Sequence, residues 1–321
     1  MSEAMTRVTL FIPGTPSSVR AWNKALDGRL AIQRGVLAGK GVTAKVGATW
    51  VENDGHFGEA FAFGTVADDV VATIDEAPGA LVLEWPIDLR EGREEIVAAV
   101  RVLHTAGALA VRLEQSKLGW DAATWLEMFA SRDAVAWHRC AVAILSGKTG
   151  LQSCGMHAFS LPDVRIVWEE AGIEGREALH LANVLDVYQL DEDPVMRSGE
   201  RFAPDAETPK RVMERWPDTA YPPDHPCHNP YGVWRLGAPG GQARSLGELV
   251  PVFIPALRAV LAAQSGKLTK KLVEAIRDDG ACVMMTPRDA QRLERERGYA
   301  DVDPELAWEQ WKLVRDYASP R

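Results

Sequence analysis

The 321-residue chain carries 46% hydrophobic and 25% charged residues, the balance of a globular protein with a packed core rather than of a disordered one. Its formal charge of −9 argues against a phosphate-backbone binder, which needs clustered Lys and Arg to displace counterions, so no nucleic-acid partner is expected. No run approaches about 18 uninterrupted apolar residues, so neither a spanning helix nor a membrane partner is expected, and Met1 to Ile12 has the form of neither a signal nor a transit peptide.

Arg7 to Ile12 (RVTLFI) reads as an opening strand stopped by Pro13-Gly14, after which Ser17 or Ser18 caps a short helix reaching about Leu26. Val42 to Val51 and Ala60 to Val66, rich in β-branched and aromatic residues between Gly, Asn and Asp, read as strands. Ala80 opens a strand-helix-strand unit: ALVLEW, then Glu91 to Thr105 with Ile96, Val97, Val100 and Leu103 on one face, then ALAVRLE. Trp120 to Ala130 follows as a helix capped by Asp121, and Trp137 to Leu145 and Val164 to Trp168 as two more strands. Arg176 to Leu190 is a long helix with Leu181, Val184, Leu185 and Tyr188 on a common face.

From Asp191 to Gly241 the chain gathers nine prolines and reads as an extended connection with one short helix near Lys210 to Arg215. Beyond it Leu246 to Ala263, Leu268 to Arg277, Pro287 to Arg297 and Pro304 to Tyr317 read as helices, with ACVMM as a short strand and Pro251 and Pro255 breaking the first helix. The expected fold class is α+β, a mixed sheet covered by helices with a largely helical C-terminal region. The expected organisation is a sheet domain over 1–190, a proline-rich connection over 191–241 and a helical region over 242–321.

Catalytic motifs are not announced. Ser146-Gly147-Lys148-Thr149 follows an apolar strand as a phosphate loop does, but Val142 stands where a Walker loop needs Gly. His138 and Cys140, in a segment read as a strand, are not expected to form a catalytic pair. With Cys140, Cys154, Cys227 and Cys282 widely scattered and no export signal, reduced thiols in a cytoplasm are expected. Cys154 and His157 in C-x-x-H spacing, with His225 and His228 in the proline-rich loop, are the alternative ligands for zinc or iron. Pro226 wedged beside them speaks for hydrogen-bonded imidazoles instead, and no cofactor is expected.

One charge feature stands out. Between Glu169 and Glu207 eleven acidic residues face only Arg176, Arg197 and Arg201, a net of −8. Such a field steers a basic protein partner, which makes Asp191, Glu192 and Asp193 the first candidate contact. YPPDHPCHNPYGVW is the second, because Tyr221, Tyr231 and Trp234 on a proline-stiffened loop lose little entropy on binding. The expected function is a non-catalytic cytoplasmic binding or accessory protein, of the immunity or chaperone kind that pairs with a bacterial toxin or secreted protein. The alternative is a small-molecule enzyme, metal-dependent or otherwise, with a pocket near the proline-rich loop.

Three segments carry a resemblance: GALAVRLEQS before a Trp-Leu-rich helix, CGMHAFSLPDVRIVW, and NVLDVYQLDEDPVMRSGERF. Together they resemble the bacterial domain-of-unknown-function family 4261. Gly155, Met156, Phe159, Pro162 and Asp163 match its turn pattern, Ser160 stands where Gly is usual, and Gly199 corresponds to the glycine of a later turn. The likeness spans about Ala80 to Phe202; it implies a fold and assigns no activity, catalytic residue or cofactor.

Overall fold

The computed structural model describes residues 7–61, 65–240, 250–253, 255–264, 268–285, 287–299, 301–302 and 307–314. The fold class is α+β, and the chain divides into two compact units, Met1–Gly240 and Gly241–Arg321.

Strand β1 (Val8–Gly14) shows why the first sheet forms. Its period of two sends Val8, Leu10 and Ile12 into the main core and Phe11 to the opposite face, against Phe57 and Phe61. Ser18 opens α1 (Val19–Leu26), its Oγ accepting from the Ala21 amide at 3.2 Å. Strands β2 (Leu30–Gln33), β3 (Val36–Gly39) and β4 (Val42–Glu52) follow as an antiparallel meander. Next come α2 (Asp68–Asp75), β5 (Gly79–Trp85), α3 (Arg93–Thr105), β6 (Ala110–Leu113) and β7 (Gly119–Asp121). The seven strands run in the order β2-β3-β4-β5-β1-β6-β7, and β5 and β6 each lie antiparallel to β1. The strand-helix-strand unit that starts at Ala80 therefore steps across β1. The segment Ala60 to Val66 is not the expected strand: Gly58–Phe61 form a single 3₁₀ turn, and 62–64 lie outside the described residues.

Two capped helices lead to the second sheet. Asp121 caps α4 (Ala122–Ala130) and Asp133 caps α5 (Ala134–Ala141), each carboxylate accepting a first-turn amide. This corrects the strand expected over Trp137 to Leu145, of which only β8 (Ala143–Ser146) is extended. Ser146 to Thr149 is a turn joining β8 to the antiparallel β9 (Gly150–Cys154), with the Gly147 amide donating to the Gly150 carbonyl at 2.8 Å. Then follow β10 (Asp163–Val167), α6 (Trp168–Ala171), α7 (Gly175–Glu192), β11 (Arg201–Phe202), β12 (Arg211–Trp216) and β13 (Val233–Pro239). The sheet order is β11-β12-β13-β10-β9-β8, with only β10 and β13 parallel.

The proline-rich stretch thus supplies three strands, and the short helix expected near Lys210 to Arg215 is β12. Pro209 and Pro217 bracket a segment too short for a stable helix, and cross-strand partners hold it extended. Arg215 lies opposite Trp234 with its guanidinium 5.0 Å from that ring, and Arg235 sits 4.4 Å over Trp216. Helix α7 buries Ala178, Leu181, Ala182 and Leu185 against β9 and β10 and Leu190 in the main core, while Tyr188, expected on the same face, is 38% exposed.

In the second unit β14 (Val250–Phe253) pairs antiparallel with β15 (Cys282–Met285). Around them lie α8 (Leu257–Ala262), α9 (Lys270–Asp278), α10 (Pro287–Arg297) and α11 (Ala307–Val314). The helix expected from Leu246 to Ala263 is replaced by β14 and α8, and its start lies outside the described residues.

Candidate functional site: a buried thiol, imidazole and carboxylate cluster

Topology explains why residues far apart in sequence meet. Because β10 and β13 are parallel, both start at one end of the second sheet, and the antiparallel β9 finishes there. The turn before β10 and the proline-rich loop before β13 are thereby brought together. Gly155 makes the turn possible with φ +123°, since a Cβ there would stand 2.3 Å from the Ala141 carbonyl oxygen. The 3₁₀ turn Met156–Phe159 that follows is fully packed, with Met156 and Phe159 at zero exposure. Ser160 then adopts the left-handed conformation (φ 62°) and donates its hydroxyl to Asp88 at 2.9 Å. That backbone state favours glycine, so Ser160 holds it at a cost in strain.

Three buried carboxylates organise the cluster. Asp163 accepts from the Met156 amide at 3.1 Å and from Asn229 Nδ2 at 2.8 Å, and burial raises its pKa well above the usual range. Asp218 accepts from the amides of Ala220 and Asn229, both at 2.9 Å, and from Gln152 Nε2 at 3.3 Å. Asp186, on α7, lies 3.3 Å from His138 Nε2 and accepts from Ser153 Oγ at 3.3 Å; burial raises its pKa too, against the pull of His138. Asp186 belongs by sequence to the acidic run, yet it is wholly buried. Its position four residues after Ala182 and four before Leu190 puts it on the apolar stripe, a signal available in the sequence. Asp163, Asp218, Ser153 and Asn229 carry no comparable periodic signal.

The imidazoles are committed to backbone. His157 Nε2 donates to the Pro226 carbonyl at 2.9 Å, which leaves Nδ1 as a lone-pair nitrogen, buried with no partner. Burial drives its pKa down to about 4, so the ring is neutral at pH 7. His228 Nδ1 donates to the Tyr221 carbonyl at 3.1 Å, with Asp218 at 3.7 Å. His225 Nδ1 accepts from the Cys227 amide at 3.1 Å, and its ring stacks on Tyr221 at 4.6 Å.

Cys154 ends β9 beneath this loop. Its Sγ donates to the Gln115 carbonyl at 3.3 Å and stands 3.9 Å from the Cys227 carbonyl oxygen. The neighbouring Cys227 thiol and burial hold the Cys154 pKa far above the ordinary thiol value. The neighbouring Cys154 thiol and the Lys117 charge lower the Cys227 pKa, against burial. Both thiols are free, and Cys227 is 5% exposed.

All four alternative metal ligands, Cys154, His157, His225 and His228, therefore belong to one neighbourhood within the first unit. One nitrogen of each imidazole and the Cys154 thiol are engaged with backbone groups, His157 Nδ1 has no partner, and among the described residues no set of three or more His, Cys, Asp or Glu is arranged to hold an ion. His138 and Cys140 do not pair: their segment is a helix and not the expected strand, residues two apart on it do not face each other, and His138 turns to Asp186.

Of the candidate contact residues, Asp191, Glu192 and Asp193 are exposed, and Tyr221 and Tyr231 are half-buried. Trp234 is not on the surface: it is 2% exposed in the core of the second sheet, its Nε1 donating to Gln189 at 3.2 Å. Among the described residues no helix is long and apolar enough to cross a membrane. No protein-family model, curated protein or solved structure matches the chain.

Proposed function

We propose that this chain is a non-catalytic cytoplasmic binding or accessory protein that docks a basic protein partner, of the immunity or chaperone kind directed at a bacterial toxin or secreted protein. The observation that carries the reading is charge placed where it opposes the fold. Asp191 and Glu192 occupy the last turn of α7 and Asp193 caps it with φ 45°, while no basic residue lies in that turn. A helix C-terminus is already the negative end of the macrodipole, so each such charge costs roughly 0.3–1 kcal/mol at low ionic strength. Arg90 answers Asp193 at 2.9 Å. Ten of the eleven acidic side chains of the run are exposed, all but Asp186, and Val195 beside them is 85% exposed. An exposed field of one sign raises the association rate of a partner of the other sign.

The half-buried Tyr221 and Tyr231 form the second contact of this proposal, on a loop already pinned through Asp218, Asn229 and His157. Membership of family 4261 is proposed for the central residues on Gly155, Met156, Phe159, Pro162, Asp163 and Gly199. The deciding experiment is a pull-down from the native host with the wild-type chain and with Asp191→Asn, Glu192→Gln, Asp193→Asn combined. The expected result is a basic protein retained by the wild type, with an association rate that falls steeply with salt, and lost by the triple variant. Recovery of no partner, or equal binding by the triple variant, overturns the reading.

A further inference from the structure

We propose that the cleft between α3 and the end of α4 is a binding site for a phosphoryl dianion, held by the guanidinium groups of Arg93, Arg101 and Arg132. The cleft measures about 320 Å³, at the low end of the range for small-molecule sites. Three arginines and one glutamate, Glu94, line it, a net of +2 on a chain whose formal charge is −9. Positive charge gathered in a concavity of an acidic protein focuses its field on a small anion rather than on a long polyanion. The rest of the lining is Val97, Ala98 and Ala130, an apolar wall that suits the carbon part of a phosphate ester.

Arg93 is the fixed member. Its Nη1 donates to the Ala130 and Ser131 carbonyls, both at 3.2 Å, which ties α3 to the end of α4, and its guanidinium lies 5.3 Å from the Trp137 ring. The side chain is 16% exposed, and its Nε and Nη2 donors make no hydrogen bond to any described residue. The Glu94 carboxylate stands 3.9 Å from Nη2, beyond hydrogen-bond reach, and its own exposure lets it turn away from an incoming anion. A guanidinium anchored through one nitrogen thus keeps free the edge that takes two oxygens of a phosphate side by side.

Arg101 on α3 and Arg132 in the connection from α4 to α5 are exposed, and neither side chain is hydrogen-bonded or ion-paired to a described residue. The backbone on both sides of Arg132 is held. The Ser131 carbonyl also accepts from Trp137 Nε1 at 2.8 Å, and Asp133 caps α5. Two unpaired cations therefore flank one fixed fork, and charge-assisted hydrogen bonds from all three close on the oxygens of a phosphoryl group.

The test is isothermal titration calorimetry of the full chain with inorganic phosphate, with phenyl phosphate, and with hexaglutamate as a polyanionic peptide. Expected is saturable binding of both phosphates, weakened about tenfold or more when Arg101→Gln and Arg132→Gln are combined and strengthened in Glu94→Gln. Both substituted arginines are exposed, so the double variant keeps its fold, and circular dichroism checks it. Arg93→Lys, which keeps the charge and loses the fork, is expected to weaken binding to a similar extent. Tighter binding of phenyl phosphate assigns the dianion to an ester and equal or weaker binding to free phosphate; either upholds the site. Three results each overturn the proposal. One is no saturation by either phosphate at millimolar concentration, another equal affinity in the wild type and the folded double variant. The third is hexaglutamate saturating where the phosphates do not, which gives the cleft to an acidic polypeptide.

Discussion

His157 allows the sharpest quantitative test of the cluster. Its Nε2 donates to the Pro226 carbonyl, its Nδ1 has no partner, and burial lowers its pKa to about 4. An unfolded chain restores the value to about 6.5. Between those values the unfolded state binds the proton and the folded state does not, so stability rises with pH. The contribution is fully present above pH 6.5 and drains away as pH falls toward 4. From pH 7 to pH 5 the loss amounts to about 2 kcal/mol, at 1.36 kcal/mol per unit of displaced pKa. His157→Gln keeps a terminal N–H to offer Pro226 and cannot take up the proton. Asp218 and His228, which face the ring, and the buried Asp163 and Asp186 are common to both chains. Urea unfolding followed by Trp fluorescence at matched pH therefore isolates the imidazole in the difference between the two. The expected result is that His157→Gln is closest to wild type in stability at pH 5 and falls furthest behind it at pH 7. Parallel stability curves across that range would refute the buried neutral imidazole.

Gly155→Ala is expected to destabilise the first unit by more than about 2 kcal/mol, because a Cβ at φ +123° meets the Ala141 carbonyl oxygen at 2.3 Å; chemical denaturation measures it. Asp186→Ala strands His138 Nε2 and Ser153 Oγ in the core and is expected to cost about 2–4 kcal/mol, whereas Asp186→Asn retains an acceptor and costs less. The Asn variant should also lack one component of the pH profile: since burial raises Asp186, its contribution is fully present at acid pH and is lost as pH rises through its folded pKa. Neutralising Asp191, Glu192 and Asp193 together should stabilise the protein by about 1 kcal/mol at low salt, less at high salt, as thermal melts in both conditions will read.

What the sequence made legible was local. Ser18 and Asp121 announce their helices through capping chemistry that acts within a few residues, whereas β1 runs through Pro13 and Gly14, the expected stop, because both pair with β5. The apolar runs of β1, β5 and α3 announce theirs through period. Misreadings fall where two local signals compete or where a distant partner decides. WHRCAVAIL is a short apolar run that periodicity alone assigns to neither class, and Asp133, just upstream, turns its first part into α5 by capping. RVMERW has residues at home in a helix, but its pairing with β13 and two cation–π contacts across that pair make it a strand.

The candidate site is the extreme case of the distant partner. C-x-x-H at Cys154 and the histidines after Pro223 are visible in the sequence, but their meeting depends on β10 and β13 running parallel with α6, α7, β11 and β12 between them. That interval is also the acidic run. Its charged outer face and buried Asp186 belong to one helix, so a residue count sees a single patch where the fold makes two things: an exposed negative end, and a carboxylate in the core beside His138. Separating them needed only the helical phase of Ala182, Asp186 and Leu190. The approach of Cys154 to the Cys227 backbone needed the topology as well, since no spacing rule joins the last residue of one strand to a loop 73 residues later.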